Sequence, residues 1–499
     1  MYLLGFDLGS SFIKASLLDA DTQIKVGSAQ VPDHEMPMMA IHPGWAEQDP
    51  ELWWSLIKQL TQKIIHQTGI DGKQIAAIGI SYQMHGLILL DHQGKSLRPS
   101  IIWCDSRAVK IGDEAFEALG HDYCLSHLLN SPGNFTASKL RWVLLNEPKM
   151  AESIKAFLLP GDFINFKLTG EINSTISSLS EGIFWDYKTQ SLSKELMSYY
   201  GISRTWAPEI LPVFSIQGTV STVVAKELGL HAGIPVCYRA GDQPNNAFSL
   251  NVNQPGEIAT TAGTSGVVYG IQHHLTTDPL SRVNAFAHVN HTSTDPRIGM
   301  LLCVNGTGIA NSWFKKLISA GGNIDYNQLN DRAAAVKAGS EGLQFFPFGN
   351  GAERMLGNKL IQSHFKGLDF NQHNLNHMAR AVQEGIVYAL NYGTDLLKSN
   401  GLAPKTIKAG KANMFLSPAF RQMFSTLIDV PLEFYDTDGA TGAARGAGVG
   451  LGHYTIDNAF ASLTKLDEIH PDLSVQDVIK ENYADWKSHL LNLIRNNPQ

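Results

Sequence analysis

Short apolar runs separated by Gly, Ser and Asp turns open the chain. Tyr2–Phe6 is apolar, Gly9-Ser10-Ser11 turns, Phe12–Leu18 returns, Asp19–Thr22 turns again and Gln23–Val31 continues, a pattern that predicts three strands in a meander. The period then changes. Asp49 is a capping residue, Pro50 suits a first helical position, and Leu52, Leu56, Leu60 and Ile64 recur at four-residue steps, which predicts a helix. Ile75–Ser81 reads as a buried strand ending at Tyr82-Gln83-Met84-His85-Gly86, followed by Leu87–Leu90 and a turn over Asp91–Lys95. Strands, a helix and another strand, with polar groups at the strand ends, describe an open α/β layer whose site lies at the sheet edge.

After residue 250 the order repeats without obvious sequence identity. Ile258–Ala262, a Gly/Thr/Ser turn and Val267–Ile271 predict a hairpin, Ile298–Val304 a third strand, and Gly308–Ser319 a helix. A long helix is expected from about Asn374 to Ser399, a short strand at Thr406–Ala409, and a small-residue helix from Gly439-Ala440-Thr441-Gly442-Ala443-Ala444 that allows close packing. A length of 499 residues exceeds what one hydrophobic core usually serves. The expected division is 1–245 and 246–499, with the boundary near Asn245–Leu250.

The charge balance narrows the partners. A net charge of −7, with 17% charged residues and no long Lys/Arg run, gives no general attraction for nucleic acid or an anionic membrane. Cys104, Cys124, Cys237 and Cys303 are scattered without metal-ligand spacing, as in proteins of a reducing compartment. The N-terminus lacks a basic leader pattern, and no window approaches the roughly 20 apolar residues of a membrane span. A cytoplasmic protein is expected, with homodimerisation left open.

Candidate chemistry gathers at three places. Ala240-Gly241-Asp242-Gln243 offers one carboxylate among small residues and an amide. Thr260-Thr261-Ala262-Gly263-Thr264-Ser265-Gly266 is a turn that aims N–H and hydroxyl donors at a phosphate, and Asp7-Leu8-Gly9-Ser10-Ser11 is a similar turn. Two phosphate-type hairpins and an isolated carboxylate point to phosphoryl transfer. A free Asp has a pKa near ~3.9 and does not strip an alcohol in the ground state. In a loose phosphoryl-transfer transition state the hydroxyl becomes acidic only as its bond to phosphorus forms, so a positioned carboxylate accepts the proton late. Asp7, at a strand end where burial disfavours charge, suits a contact to Mg²⁺, which needs only one or two protein carboxylates.

Asp7-Leu8-Gly9-Ser10-Ser11, Gln83-Met84-His85-Gly86, Ile102-Trp103-Cys104-Asp105-Ser106-Arg107, Gly241-Asp242 and Ala262-Gly263-Thr264-Ser265-Gly266 stand in the order found in the FGGY carbohydrate kinases, and the chain resembles that family. Gly442-Ala443-Ala444 and the preceding long helix extend the resemblance through nearly the whole chain. It implies two ribonuclease-H-like domains of the actin and sugar-kinase type, closing over ATP, Mg²⁺ and a sugar held in the cleft between them. Asp242 would be the catalytic base and, with Asp7, a metal contact. Gln83, Met84, His85, Trp103, Asp242 and Gln243 would bind the sugar, with Asp105 and Arg107 expected in the same cleft. Ser10, Ser11, Lys14, Gly263, Thr264, Ser265, Gly308, Gly410, Ala412 and Asn413 would hold the nucleotide.

Gln83–Gly86 resembles the segment of family members that act on D-xylulose, which implies D-xylulose as acceptor. Another open-chain sugar, polyol or aldonate, such as ribulose or gluconate, is the alternative; a catalytically silent sugar-binding regulator and an actin-like ATPase are the readings from other classes. Two departures stand out. Gly410-Lys411-Ala412-Asn413 replaces a Gly-Gly-Gly-Ala run, and Ala352-Glu353-Arg354-Met355-Leu356 replaces Gly-Glu-Arg-Thr-Pro, where Glu353 and Arg354 are expected to form a structural ion pair.

Overall fold

Two sheets with the same strand order organise the molecule. The structure, a computed structural model, describes residues 1–319, 322 and 324–496. The first sheet runs, edge to edge, Val236–Gly241, Ile75–Tyr82, Tyr2–Leu8, Ile13–Asp19, Lys25–Val31. Its meander is antiparallel, and Ile75–Tyr82 and Val236–Gly241 join in parallel. Tyr2–Leu8 is central, so Leu3, Leu4, Phe6 and Leu8 are all buried and the strand reads as continuously apolar rather than alternating.

In the second sheet Leu432–Tyr435, Thr406–Gly410, Glu257–Ala262, Gly266–Gln272 and Ile298–Val304 follow that order with the same strand directions, extended by Lys465–Ile469 at the first edge and Asn284–Ala287 at the other.

The helices form where the local signals place them. Asp49 accepts the Glu51 N–H, Pro50 follows, and the helix Pro50–Thr68 ends at Gly69 in the left-handed conformation. Its buried face, including Trp53, Ile57, Leu60 and Ile64, packs on the first sheet. The 25-residue helix Leu375–Ser399 crosses the second half and is buried along most of its length. Asp242–Ser249 is a helix that carries the chain through the expected boundary, and one hydrophobic core runs from Met84–Ile202 segments into the second sheet. The four cysteines are free thiols, and among the described residues no helix is long and apolar enough to cross a membrane.

The helix Gly439–Gly450, late in the chain, lies on the first sheet rather than the second. A methyl group added at Gly5 would overlap the carbonyl oxygen of Ala440, and one at Gly79 the carbonyl oxygen of Ala443. Backbone thus meets backbone, as the run of small residues predicts. Because a carbonyl cannot rotate away as a side chain can, Gly79→Ala is expected to destabilise the protein by about 1–3 kcal/mol through overpacking. Gly410→Ala, where nothing lies within 4 Å of the added methyl, should stay within about 0.5 kcal/mol of the parent. Urea unfolding of the two variants checks this difference.

Candidate active site

Three strand ends meet at one edge of the first sheet. Leu8 and Gly241 both stand beside Tyr82 in the parallel ladders, so Asp7 and Asp242 come to the same edge. Asp242 is the first residue of its helix and takes hydrogen bonds from the backbone and side chain of Gln243. Burial, then the charges of Asp7 and Glu181, push its carboxyl up to about 8. Burial also raises Asp7, while the Ser81 hydroxyl and the Lys14 ammonium oppose that and Asp438 adds to it. Ser81 donates to Asp7 Oδ1 at 2.7 Å. A side chain at Gly439 would begin 2.5 Å from Asp7 Oδ2, so glycine is what lets the two approach.

Glu181, only 2% exposed, is the residue that no motif announces. Its Oε2 accepts the His85 backbone N–H at 3.0 Å and lies 3.2 Å from His85 Nδ1, while its carbonyl oxygen lies 3.1 Å from the same ring nitrogen. Both neighbours of Nδ1 are acceptors, so in the neutral ring the proton sits on Nδ1 and Nε2 is left to accept. The His85 ring is further walled by Phe135, edge-on at 4.8 Å, and Phe286 at 5.3 Å. Glu181 ends a short serine-rich helix, Ile176–Glu181, and the two phenylalanines lie in unrelated segments. Only the tertiary fold gathers them.

The other expected sugar residues divide. Met84 is buried against Gly241, and Gln83 faces inward, its Nε2 donating to Gln48 Oε1 at 3.1 Å and its N–H to the Leu8 carbonyl. Trp103 is 52% exposed on the turn after Ile102. Asp105 and Arg107 do not line the cleft as expected. They are buried in an ion pair of 2.7 Å, with Arg107 also on Glu47 and stacked 3.7 Å over Trp45. Removal from water leaves such groups little choice but to pair with each other.

Glu353 and Arg354 also depart from expectation, because they do not pair with each other. Glu353 accepts the Asn305 N–H at 2.9 Å, and burial raises its carboxyl to about 8. Arg354 donates to Ser281 and to Ser131, joining the two halves of the chain.

On the second sheet, Gly263, Thr264, Gly308 and Asn413 line a cavity of about 410 Å³, together with Asn311 and Tyr326, which carry no sequence signal of their own. The Gly308 N–H donates to Gly263 O at 2.8 Å and the Ile309 N–H to Thr264 O at 3.1 Å, which fixes the helix Gly308–Ile318 with its N-terminus at the hairpin. A methyl at Gly308 would overlap the Gly263 carbonyl oxygen. The first N–H groups of the helix are taken up by carbonyls, so what it offers an anion here is the positive end of its dipole. Ser265, Gly410 and Ala412 are outside this lining, and Lys411 is turned into an ion pair of 2.9 Å with Asp467. Ser10 and Ser11 are half-buried on the Asp7 hairpin, and Lys14 is exposed opposite Asp7; none of the three lines the cavity.

Among the described residues no group of three or more His, Cys, Asp or Glu is placed to hold a metal. Asp242 and Asp7, whose charge raises the hold of Asp242 on its proton, nonetheless fit a Mg²⁺ that keeps most of its water and takes further oxygens from phosphate.

Residues 2–249 match the N-terminal domain, and residues 258–451 the C-terminal domain, of the FGGY family of carbohydrate kinases. Xylulose kinase of Escherichia coli K12 is 30% identical over 449 residues, 90% of this chain and 88% of that protein. The crystal structure of xylulose kinase from Rhodospirillum rubrum is similar with a TM-score of 0.89 at 26% identity, covering 99% of each chain. A gluconate kinase structure from Lactobacillus acidophilus, at 23% identity, a TM-score of 0.90 and 99% of each chain, shares the fold. With both domains of the family matched in order and paired carboxylates at the strand ends, the chain belongs to the FGGY family of carbohydrate kinases and is a sugar phosphotransferase.

Proposed function

We propose that this enzyme transfers the γ-phosphoryl group of ATP to O5 of D-xylulose, with Mg²⁺ as cofactor. One observation carries the choice of acceptor: His85, held by the buried carboxylate Glu181, has its Nδ1 engaged and leaves Nε2, an acceptor in the neutral ring, for a ligand. An accepting nitrogen suits a sugar hydroxyl. The buried carboxylate of Glu181 beside His85 would repel an aldonate, so a neutral ketose is favoured over gluconate. The similarity to proteins named xylulose kinase supports the same choice. In this reading residues 1–245 hold the sugar and residues 246–499 the nucleotide.

Asp242 orients the attacking hydroxyl and takes its proton late in the transfer. Gln243 steadies that carboxylate, and Asp7 holds the metal side of the site. Asp7 and Asp242 would hold Mg²⁺, which would offset charge on the phosphates and favour the ionised form of Asp242. Closure of the two halves over both ligands would exclude water and limit loss of ATP to hydrolysis.

In an ADP-release assay over ketoses, polyols and aldonates, turnover should require both Mg²⁺ and an added acceptor, with D-xylulose giving the highest kcat/KM. Gluconate matching or exceeding it would overturn the acceptor assignment. His85→Ala should raise the sugar KM by about tenfold or more, the loss of one hydrogen bond to substrate, and leave the ATP KM nearly unchanged.

Asp242→Asn should bind both ligands and lose about 10²-fold or more in single-turnover transfer. Its stability supplies an independent check. The folded carboxyl binds its proton up to about pH 8, whereas the unfolded one releases it near ~3.9. Between those values the folded state holds the extra proton, so the Asp242 contribution to stability falls as pH rises. The Tm of Asp242→Asn relative to the parent should therefore climb steadily from pH 5 to pH 8, and a flat difference would mean Asp242 is not under this electrostatic load.

A further inference from the structure

Two loops stand on the sugar side of this reading, after Tyr82 and after Ile101; the Leu87 N–H donates to the Ile101 carbonyl between their bases, and one buried side chain spans them further out. Lys139, in the first turns of the helix Thr136–Asn146, is 0% exposed. Its Nζ donates to the carbonyl oxygen of His85 at 2.8 Å and to that of Ile102, immediately before Trp103, at 2.9 Å. The residues just ahead of it grip the same two loops. Thr136 Oγ1 donates to Gly86 O at 3.4 Å, Asn134 Nδ2 donates to Asp105 O, and Phe135 packs edge-on against the His85 ring.

Lys139 makes no ion pair within 4 Å among the described residues, although Asp105, Cys104 and Glu181 favour its charge from a distance and Arg107 opposes it. Burial pulls its pKa down to about 7. Keeping an amine at such a site is costly unless its N–H groups are needed where they are. They are spent on carbonyls, and a neutral amine still has two N–H groups for the two carbonyls it serves.

The need is visible at His85, whose φ is +62°. A non-glycine residue holds this conformation only where its surroundings over-determine it. Glu181 fixes the His85 N–H and its Nδ1, and Lys139 fixes its carbonyl. Without the third tie one of the contacts that hold this conformation is lost, and the backbone from which the His85 ring projects is less firmly placed.

We propose that Lys139 is a positioning residue for the acceptor: by clamping the His85 and Ile102 carbonyls it sets the placement of the His85 imidazole, without touching the sugar or moving a proton. The inference rests on the reading of His85 as a sugar ligand. A double-mutant cycle of the parent, Lys139→Met, His85→Ala and the double variant tests it, with D-xylulose, or whichever acceptor the panel ranks first, and ATP.

Lys139→Met keeps the length and apolar stem and removes the donors. It should raise the sugar KM about tenfold, since two buried carbonyls lose their partner, and leave the ATP KM within about twofold. In the His85→Ala background the same change should add little, because residues acting through one group are not additive. A merely structural lysine would instead lower kcat through the folded fraction, or contribute its full factor in both backgrounds, and either result would overturn the proposal. Should Lys139→Met not fold, Lys139→Gln, too short to reach both carbonyls, carries the same expectations. If His85→Ala leaves the sugar KM unmoved, the sugar-site reading itself has failed; if His85→Ala raises it and the Lys139 variant does not, this inference alone has failed.

Discussion

The contact of the helix Gly439–Gly450 with the first sheet is the constraint on which the site depends. Gly5 and Gly79 let that helix sit backbone to backbone on two strands, and its first residue thereby arrives beside Asp7 Oδ2. The helix begun by Asp242 is tied to the same point, because Asn245 Nδ2 donates to Gly439 O at 2.8 Å and Ser249 Oγ to Asp438 O at 2.9 Å. Asp7, Asp242 and Gly439 are therefore parts of one rigid junction between the two halves of the chain. Larger residues at those glycines would widen the junction and separate the carboxylates. Close packing here also sets where the two carboxylates stand.

That packing also explains how an unfavourable charge arrangement persists. Asp7, Glu181 and Asp242 lie near enough that the last is pushed up to about 8 by burial and by the other two. No single interaction compensates. The carboxylates stay because the elements that carry them, the central strand Tyr2–Leu8 and the helices Ile176–Glu181 and Asp242–Ser249, are held in place by packing elsewhere along their length. Strain of this kind suits a site whose ligands bring positive charge with them.

Much of this was legible in the chain. The meander, the capped helix after Asp49, the second hairpin and the small-residue helix are local patterns, set by period, turn chemistry and side-chain size, and the structure has them within a residue or two. Asp7, Asp242 and His85 were legible because they stand at strand ends, which a pattern locates. Glu181 and Lys139 were not, since their roles come from atoms about a hundred and about fifty residues away. Polar pairs misled for a related reason. Asp105 with Arg107 and Glu353 with Arg354 each read as a unit, but whether neighbours in sequence face a cleft, each other or separate partners depends on burial that period alone does not supply.

The two halves differ where their chemistry must differ. Counted from the last ladder pair of each hairpin, Thr261 in the second sheet takes the place that Asp7 holds in the first. The cavity beside Thr264 and Gly308 is lined by asparagines, a tyrosine and small or apolar residues, with no charged side chain. A carboxylate at that hairpin would repel the polyphosphate that the helix N-terminus attracts. At the Asp7 hairpin the carboxylate is tolerable only with a counter-charge, and Lys14 across the strand pair supplies part of one. The same strand order thus yields an acidic edge that suits a metal and an acceptor hydroxyl, and a neutral edge that suits the phosphoryl donor. Carboxylate against hydroxyl at equivalent strand ends is where the two edges part in character.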